Sequence, residues 1–567
     1  MLKTVTLSSI HRVFPDECPE NAAKNHFSAL KNEPFSFQVA LINDTEDCSA
    51  FNVNVRIESD LPISYYYASP ISVLHNRLQN LQVPARQGIY YDILVPKQVN
   101  PTLCEEGFQW KKMWFEKGED KVVTALPDAW QCLWFTVNES SKTLSPGKHV
   151  ISVIFLSGDT NMEIGRENVE LDIIDCRLVP QKLYCTNWFY ADCVCDAHNV
   201  EPMSDEFFTA VYNYAHKAAL NGQNMILTPC FTPPLDTPVG CERRTIQLVG
   251  VKVIGKNKYS FDFTLLKRFI DVCRKAGIKY FEQNHLFTQW GAKAAPKIVA
   301  DVNGRIKQIF GWNTPADGTA YKKFLQAYLP AVTDFYRAEG LQKKVLFHIS
   351  DEPSAEMAES FKAALDAVGN MLDGFMVGDA LSHVELYEQG LVKMPIVATN
   401  FIDDFIGKCD NMWCYYTGGQ IMDGLSNRLP VIAPERNRMI GVQMYSHDIK
   451  GFLHWGYNYY YDVLSHGYTD PKMQPGNYAM SSGTSYLVYP AADLDCYQSI
   501  RQKVFAEGIL DMRALETHEK LCGRDRTDAL LKKHFGNISF RTCPETPEQY
   551  LAFRDELNSE IKKACAE

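Results

Sequence analysis

Residues 345–354 read VLFHISDEPS. An apolar run from Val345 passes through His348 and Ile349 into two adjacent acids, Asp351 and Glu352, and Pro353 follows at once. A short apolar run closed by a turn signal reads as a buried strand. Neighbouring carboxylates repel, and a site relieves that repulsion by raising one of their pKa values. Taken alone, the stretch also reads as a helix start, with Ser350 or Asp351 as cap and proline in the first turn. Its surroundings decide between the two.

Upstream, short apolar runs alternate with amphipathic helices. LYCTNWFYADC (183–193) precedes a helix from about Ser204 to Leu220, and NMILTPCF (224–231) precedes an insertion and then FTLLKRFIDVCRKAG (263–277). In that last segment Leu266, Phe269, Ile270 and Cys273 share one helical face and Gly277 closes the end. IKYFEQNHLF (278–287) follows, then a helix from about Tyr321 to Glu339, which makes the opening stretch the fourth strand. DGFMVGD, PIVATNF, MWCYYTGG and GFLHWGYNYYY supply four more. Strand and helix alternating eight times predict a TIM-type (β/α)8 barrel, here over residues 179–567 with a C-terminal helical region from Gln498.

Residues 1–178 have a different texture. In FNVNVRI, Phe51, Val53, Val55 and Ile57 share one face, and FSFQVAL repeats the alternation from Phe35 to Leu41. Period-two patterning with turn signals such as SPGK predicts a β-sandwich ahead of the barrel.

The whole chain has 567 residues, 46% hydrophobic and 22% charged, ordinary for a globular protein of two to four domains. A net charge of −11 argues against nucleic acid or an anionic membrane as partner. No apolar run reaches the roughly 18 residues that insertion into a membrane needs. The N-terminus lacks the apolar core of a signal peptide, and the 17 cysteines are scattered without a disulfide rhythm. A cytoplasmic location is the expectation. Nothing in the sequence sets an oligomeric state.

Barrel enzymes draw their reacting groups from the C-terminal ends of the strands. Those ends place Asn187 and Trp188, Asn284 and His285, Asn400, Trp413 and Tyr415, and Trp455 and Tyr459 around Asp351 and Glu352. Indole and phenol faces suit sugar C–H surfaces, and amides and carboxylates hydrogen-bond hydroxyls. These nine residues are the candidate substrate-binding set for a carbohydrate. Adjacent acids do not straddle a glycosidic bond easily. They can serve a substrate that carries its own nucleophile, a 2-acetamido oxygen, with one acid orienting the acetamido group and the other acting as general acid and base.

HISDEPS at the end of a fourth barrel strand behind a β-rich domain resembles glycoside hydrolase family 123. NEPFSFQVA, SYLVYP (485–490) and SIRQKVFAEGILDMRAL (499–515) fit the same resemblance. It implies an exo-acting, retaining β-N-acetylgalactosaminidase without a cofactor, acting on oligosaccharides or glycolipid headgroups that end in β-GalNAc. It implies that Asp351 positions the acetamido group and that Glu352 is the acid/base. Two alternatives stay open: a β-GlcNAc-specific or broader hexosaminidase, and a carbohydrate-binding protein on a barrel scaffold.

Other motifs read as structural. Cys193, Cys195 and His198 lack the paired spacing of a zinc site, so no metal is expected. GVKVIGKN (250–257) ends in Asn257 where a phosphate loop needs Ser or Thr, and lies between strand-like segments, so a hairpin turn is expected. His348 and His454 read as structural histidines or sugar contacts.

Overall fold

A computed structural model describes residues 2–44, 50–73, 86–97, 122–289, 291–476 and 480–566. The chain divides into two compact units. The first takes residues 1–181, 421–446 and 497–567, and the second takes 182–420 and 447–496. The expected single cut after residue 178 is thus a discontinuous one. The C-terminal helices expected to complete the barrel group with the β-rich region instead.

In the first unit, Leu2–Ser8, Phe35–Asn43, Gln131–Val137, Ile63–Val73 and Gly88–Lys97 lie side by side in one sheet. A second sheet runs His26–Leu30, Glu163–Ile174, Gly147–Ser157, Phe51–Glu58 and Val122–Ala125. Phe37, Val39, Leu133 and Phe135 from one and Val53, Val55, Val153 and Phe155 from the other share one core. FNVNVRI alternates as expected, buried and exposed in turn. FSFQVAL does not, because its polar face is also covered: Gln38 is buried and donates to the carbonyls of Ser8 and His11. The helices Ile500–Cys522 and Pro547–Ala566 bring Asp511 and Arg554 into a dry ion network with Arg438, Glu507 and Glu33.

The second unit carries nine short parallel strands in a nearly closed barrel. They are β1 (Tyr184–Asn187), β2 (Met225–Thr228), β3 (Tyr280–Gln283), β4 (Val345–Phe347) and β5 (Met376–Val377). Then come β6 (Asp379–Leu381), β7 (Pro395–Ala398), β8 (Trp413–Tyr415) and β9 (Gly451–His454). The pairing order is β5-β4-β3-β2-β1-β9-β8-β7-β6, every neighbour parallel. Helices such as Asp205–Leu220, Thr264–Ala276, Thr319–Ala338 and Ala358–Val368 link them. Parallel strands need such crossovers, and burial on both faces favours apolar runs such as MILT, VLF and PIVA.

Gly250–Gly255 and Lys258–Asp262 form an antiparallel hairpin, so Asn257 is a turn residue with φ 54°. GFLHWGYNYYY is a strand only over its first four residues. A Cβ on Gly456 would lie 2.4 Å from the Ser485 carbonyl oxygen, so the chain there packs against SYLVYP instead of continuing a ladder. Among the described residues, no helix is long and apolar enough to cross a membrane.

Candidate active site

The acid pair sits on a turn held from both flanks. Val345, Leu346 and Phe347 are fully buried, and Phe347 is the last residue of β4 to pair with β5. On the β3 side the backbone contact continues, with Leu286 N donating to His348 O and Phe287 N to Ile349 O. On the other side the next amides, Ile349 N and Ser350 N, donate to Asp379 Oδ1 at 2.9 and 3.2 Å. Ser350 Oγ donates to the Thr288 carbonyl at 2.9 Å. Asp351 and Glu352 then emerge half-buried. Glu352 has φ 44°, left-handed backbone that costs a residue bearing a Cβ, and it precedes a proline. Strain of this kind persists only where surrounding structure enforces it, and it clusters at functional sites. Tyr415, at the end of β8, donates its hydroxyl hydrogen to Glu352 Oε1.

Burial pushes the Asp351 carboxyl well above the usual carboxylate range; the charge of Glu352 adds to this, and that of His348 opposes it.

Beneath the pair, the barrel interior holds a charged network that the strand ends did not reveal. Glu282 of β3 accepts hydrogen bonds from Thr186 Oγ1 at 2.6 Å, Trp188 Nε1 at 2.6 Å and His348 Nε2 at 2.7 Å. His348 Nδ1 lies 3.6 Å from Asp379. Burial opposes a charge on this imidazole, but the carboxylates of Asp379 and Glu282 outweigh it and carry its pKa up to about 10. His285 stacks on His348, with ring centres 4.6 Å apart. Burial, aided by the His348 charge, pushes the His285 pKa well below its ordinary value and keeps it neutral. An acid inside a short strand-like run, as in YFEQ or VGDAL, was the available signal for Glu282 and Asp379.

Of the nine binding candidates, only Asn400 and Trp455 are half-exposed. Trp455 packs edge-on against Tyr459 at 5.3 Å. Tyr415 touches the acid pair directly. Asn187, Trp188, Asn284 and His285 are buried; Asn187 Nδ2 donates to Gln223, Trp188 Nε1 to Glu282, and Asn284 Oδ1 accepts from Phe231 N, while His285 Nδ1 has no hydrogen-bond partner among the described residues. Tyr459 is buried as well and donates to Asp236. Asp236 also accepts from Leu464 N at 3.0 Å and ties its own N–H to Gln289. Trp413 opens β8 rather than ending it. It stacks on Tyr184 at the start of β1, at the opposite end of the strands from the acids. The three residues read as a non-metal cluster hold local contacts: Cys193 Sγ accepts from Tyr460 N, His198 meets the Tyr214 hydroxyl, and Cys195 is buried.

A family model for the catalytic domain of glycoside hydrolase 123 matches residues 188–518, more than half of the chain. Among solved structures, a family 123 glycoside hydrolase from Clostridium perfringens, studied for glycolipid glycan hydrolysis, superposes with a TM-score of 0.72. The match covers 100% of this chain and 98% of that one at 10% identity, a likeness of fold. A β-glucuronidase from Bacteroides uniformis is 9% identical over 88% of this chain and 49% of its own, with a TM-score of only 0.31. No curated protein matches the sequence. With the model spanning the acid-bearing turn and most of the barrel, the chain belongs to glycoside hydrolase family 123.

Proposed function

We propose that this glycoside hydrolase is an exo-acting, retaining β-N-acetylgalactosaminidase that works through the 2-acetamido group of its substrate. The observation that carries the reading is the adjacency of Asp351 and Glu352 on one strained turn. A retaining enzyme with its own nucleophile needs a second carboxylate facing the acid across the bond, about 5–5.5 Å away. The buried carboxylates of the barrel interior are otherwise engaged: Glu282 by three donors and Asp379 by two backbone amides. The acetamido oxygen supplies the missing nucleophile.

In this reading Glu352 protonates the departing glycosidic oxygen while the acetamido oxygen closes on the anomeric carbon from the opposite face. Asp351 accepts the acetamido N–H and stabilises the positive charge of the oxazolinium ring. Substrate binding then favours ionised Asp351 and leaves the proton of the pair on Glu352, ready for transfer. Glu352 next takes a proton from water, which opens the ring with overall retention. Trp455 and Asn400 are the half-exposed groups offered to the sugar. We read β5 and β6 as one strand broken at Gly378, which makes the barrel a (β/α)8 ring. Glycolipid or oligosaccharide glycans ending in β-GalNAc fit the family membership. Proton NMR of the first-formed sugar tests the mechanism: β-GalNAc is expected before mutarotation, with inhibition by the GalNAc-thiazoline. First-formed α-anomer would refute it.

A further inference from the structure

The carboxylate of Asp379 occupies a gap in the barrel wall. β5 pairs with β4 and β6 pairs with β7, and only Gly378 separates them. Gly378 N still donates to Phe347 O at 3.1 Å. A Cβ there would lie 2.4 Å from the Met394 methyl and 2.8 Å from its carbonyl oxygen, so the crossing point admits only glycine. Past it the backbone no longer reaches β4, and the Ile349 and Ser350 amides would be buried without a strand partner. Both donate to Asp379 Oδ1 instead. Asp379 is 2% exposed, with the His348 imidazole 3.6 Å away as its counter-charge. Ionised acceptors make hydrogen bonds roughly twice as strong as neutral ones, most of all in a dry site.

We propose that Asp379 is the positioning residue of the acid pair: its carboxylate replaces the missing strand ladder and clamps the Ile349 and Ser350 amides, holding Glu352 in its left-handed conformation. Asp379 does not reach the sugar; it acts through the turn. The opposite flank is fixed by backbone bonds from Leu286 and Phe287, so loss of the clamp frees the turn on one side only. The proposal rests on Asp351 and Glu352 being the reacting acids.

The test compares wild type, Asp379→Asn and Asp379→Leu on an alkyl β-N-acetylgalactosaminide, with hydrogen exchange of fragments spanning residues 345–354. Asparagine keeps a neutral acceptor and leucine none. The expected loss in kcat is about 10-fold for Asp379→Asn and about 100-fold for Asp379→Leu, the scale of an ångström-level misplacement, with KM little changed. Exchange should speed up at Ile349 and Ser350 while β3 and β7 keep wild-type protection. The groups facing Asp351 are Glu352, His348, Asp379, Glu282 and Tyr415, and the Asp379 charge raises the Asp351 pKa. The acid limb of kcat/KM in Asp379→Asn should therefore move to lower pH, which a defect of folding alone would not produce. Wild-type kcat in folded Asp379→Leu overturns the proposal. So does faster exchange throughout the barrel with the acid limb unmoved. If Asp379→Leu does not fold, Asp379→Asn carries the test. If the wild type cleaves no β-GalNAc glycoside, the functional reading fails, and local exchange alone decides the clamp.

Discussion

The Tyr415 hydroxyl donates its hydrogen to Glu352 Oε1, joining the end of β8 to the turn after β4. The ring is buried, so the contact fixes one carboxylate oxygen and leaves the other for the substrate. A hydrogen bond to a charged group is worth about 1.5–3 kcal/mol. Tyr415→Phe should lower kcat on an alkyl glycoside by about 10- to 100-fold, since about 1.4 kcal/mol is tenfold in rate. Steady-state kinetics with a melting curve check this. Unchanged kcat in a folded variant would remove Tyr415 from the site.

Glu352→Gln removes the transferable proton and keeps the shape. General acid catalysis contributes about 10²–10⁴-fold, so turnover of an alkyl glycoside should fall by that order. A 2,4-dinitrophenyl glycoside, whose leaving group needs no proton, should keep most of its formation rate for the ring intermediate. Equal losses on both would assign Glu352 a different task.

His348 makes stability depend on pH. Its pKa is about 10 in the folded protein, because Asp379 and Glu282 outweigh burial, against about 6.5 in an unfolded chain. The folded state therefore binds the proton more tightly. The stabilisation is fully present below about pH 6.5 and is lost as pH rises through about 10. Unfolding of the second unit should become easier by on the order of a few kcal/mol across that window, and His348→Gln should flatten the dependence. Denaturant titrations at several pH values read this directly.

The ion network of the first unit is a matter of stability. Arg554 donates to Glu33 at 2.8 and 2.9 Å and also meets Asp511, which Arg438 holds from the other side. Arg554→Met leaves Glu33 and Asp511 buried with one cation fewer. Breaking such a network costs about 3–5 kcal/mol. The expected result is a lower unfolding midpoint with normal kcat per folded molecule. A midpoint within error of wild type would contradict it.

The parts of this molecule legible in the sequence are those set by periodicity and by neighbours in the chain. FNVNVRI shows its alternation, and FTLLKRFIDVCRKAG becomes the helix Thr264–Ala276 with Gly277 as its left-handed cap. The acid pair was legible because both residues are adjacent. The surrounding site was not, since strand ends name residues without saying which way each side chain turns. Trp188 turned inward to Glu282, and Trp413 lay at the wrong end of its strand. Asp379 reaches Ile349 from 30 positions away, and no local pattern marks that meeting. The C-terminal helices looked like barrel helices because amphipathic periodicity states that a face is buried and not what buries it.

The most direct measurement is 4-nitrophenol release from matched β-GalNAc, β-GlcNAc and β-galactose glycosides by wild type and Asp351→Asn. The expected result is turnover of the β-GalNAc glycoside, strongly reduced in Asp351→Asn, with no turnover of the matched β-galactoside that lacks the acetamido group. Undiminished turnover by Asp351→Asn, or efficient cleavage of the β-galactoside, would contradict catalysis by the substrate's own acetamido oxygen.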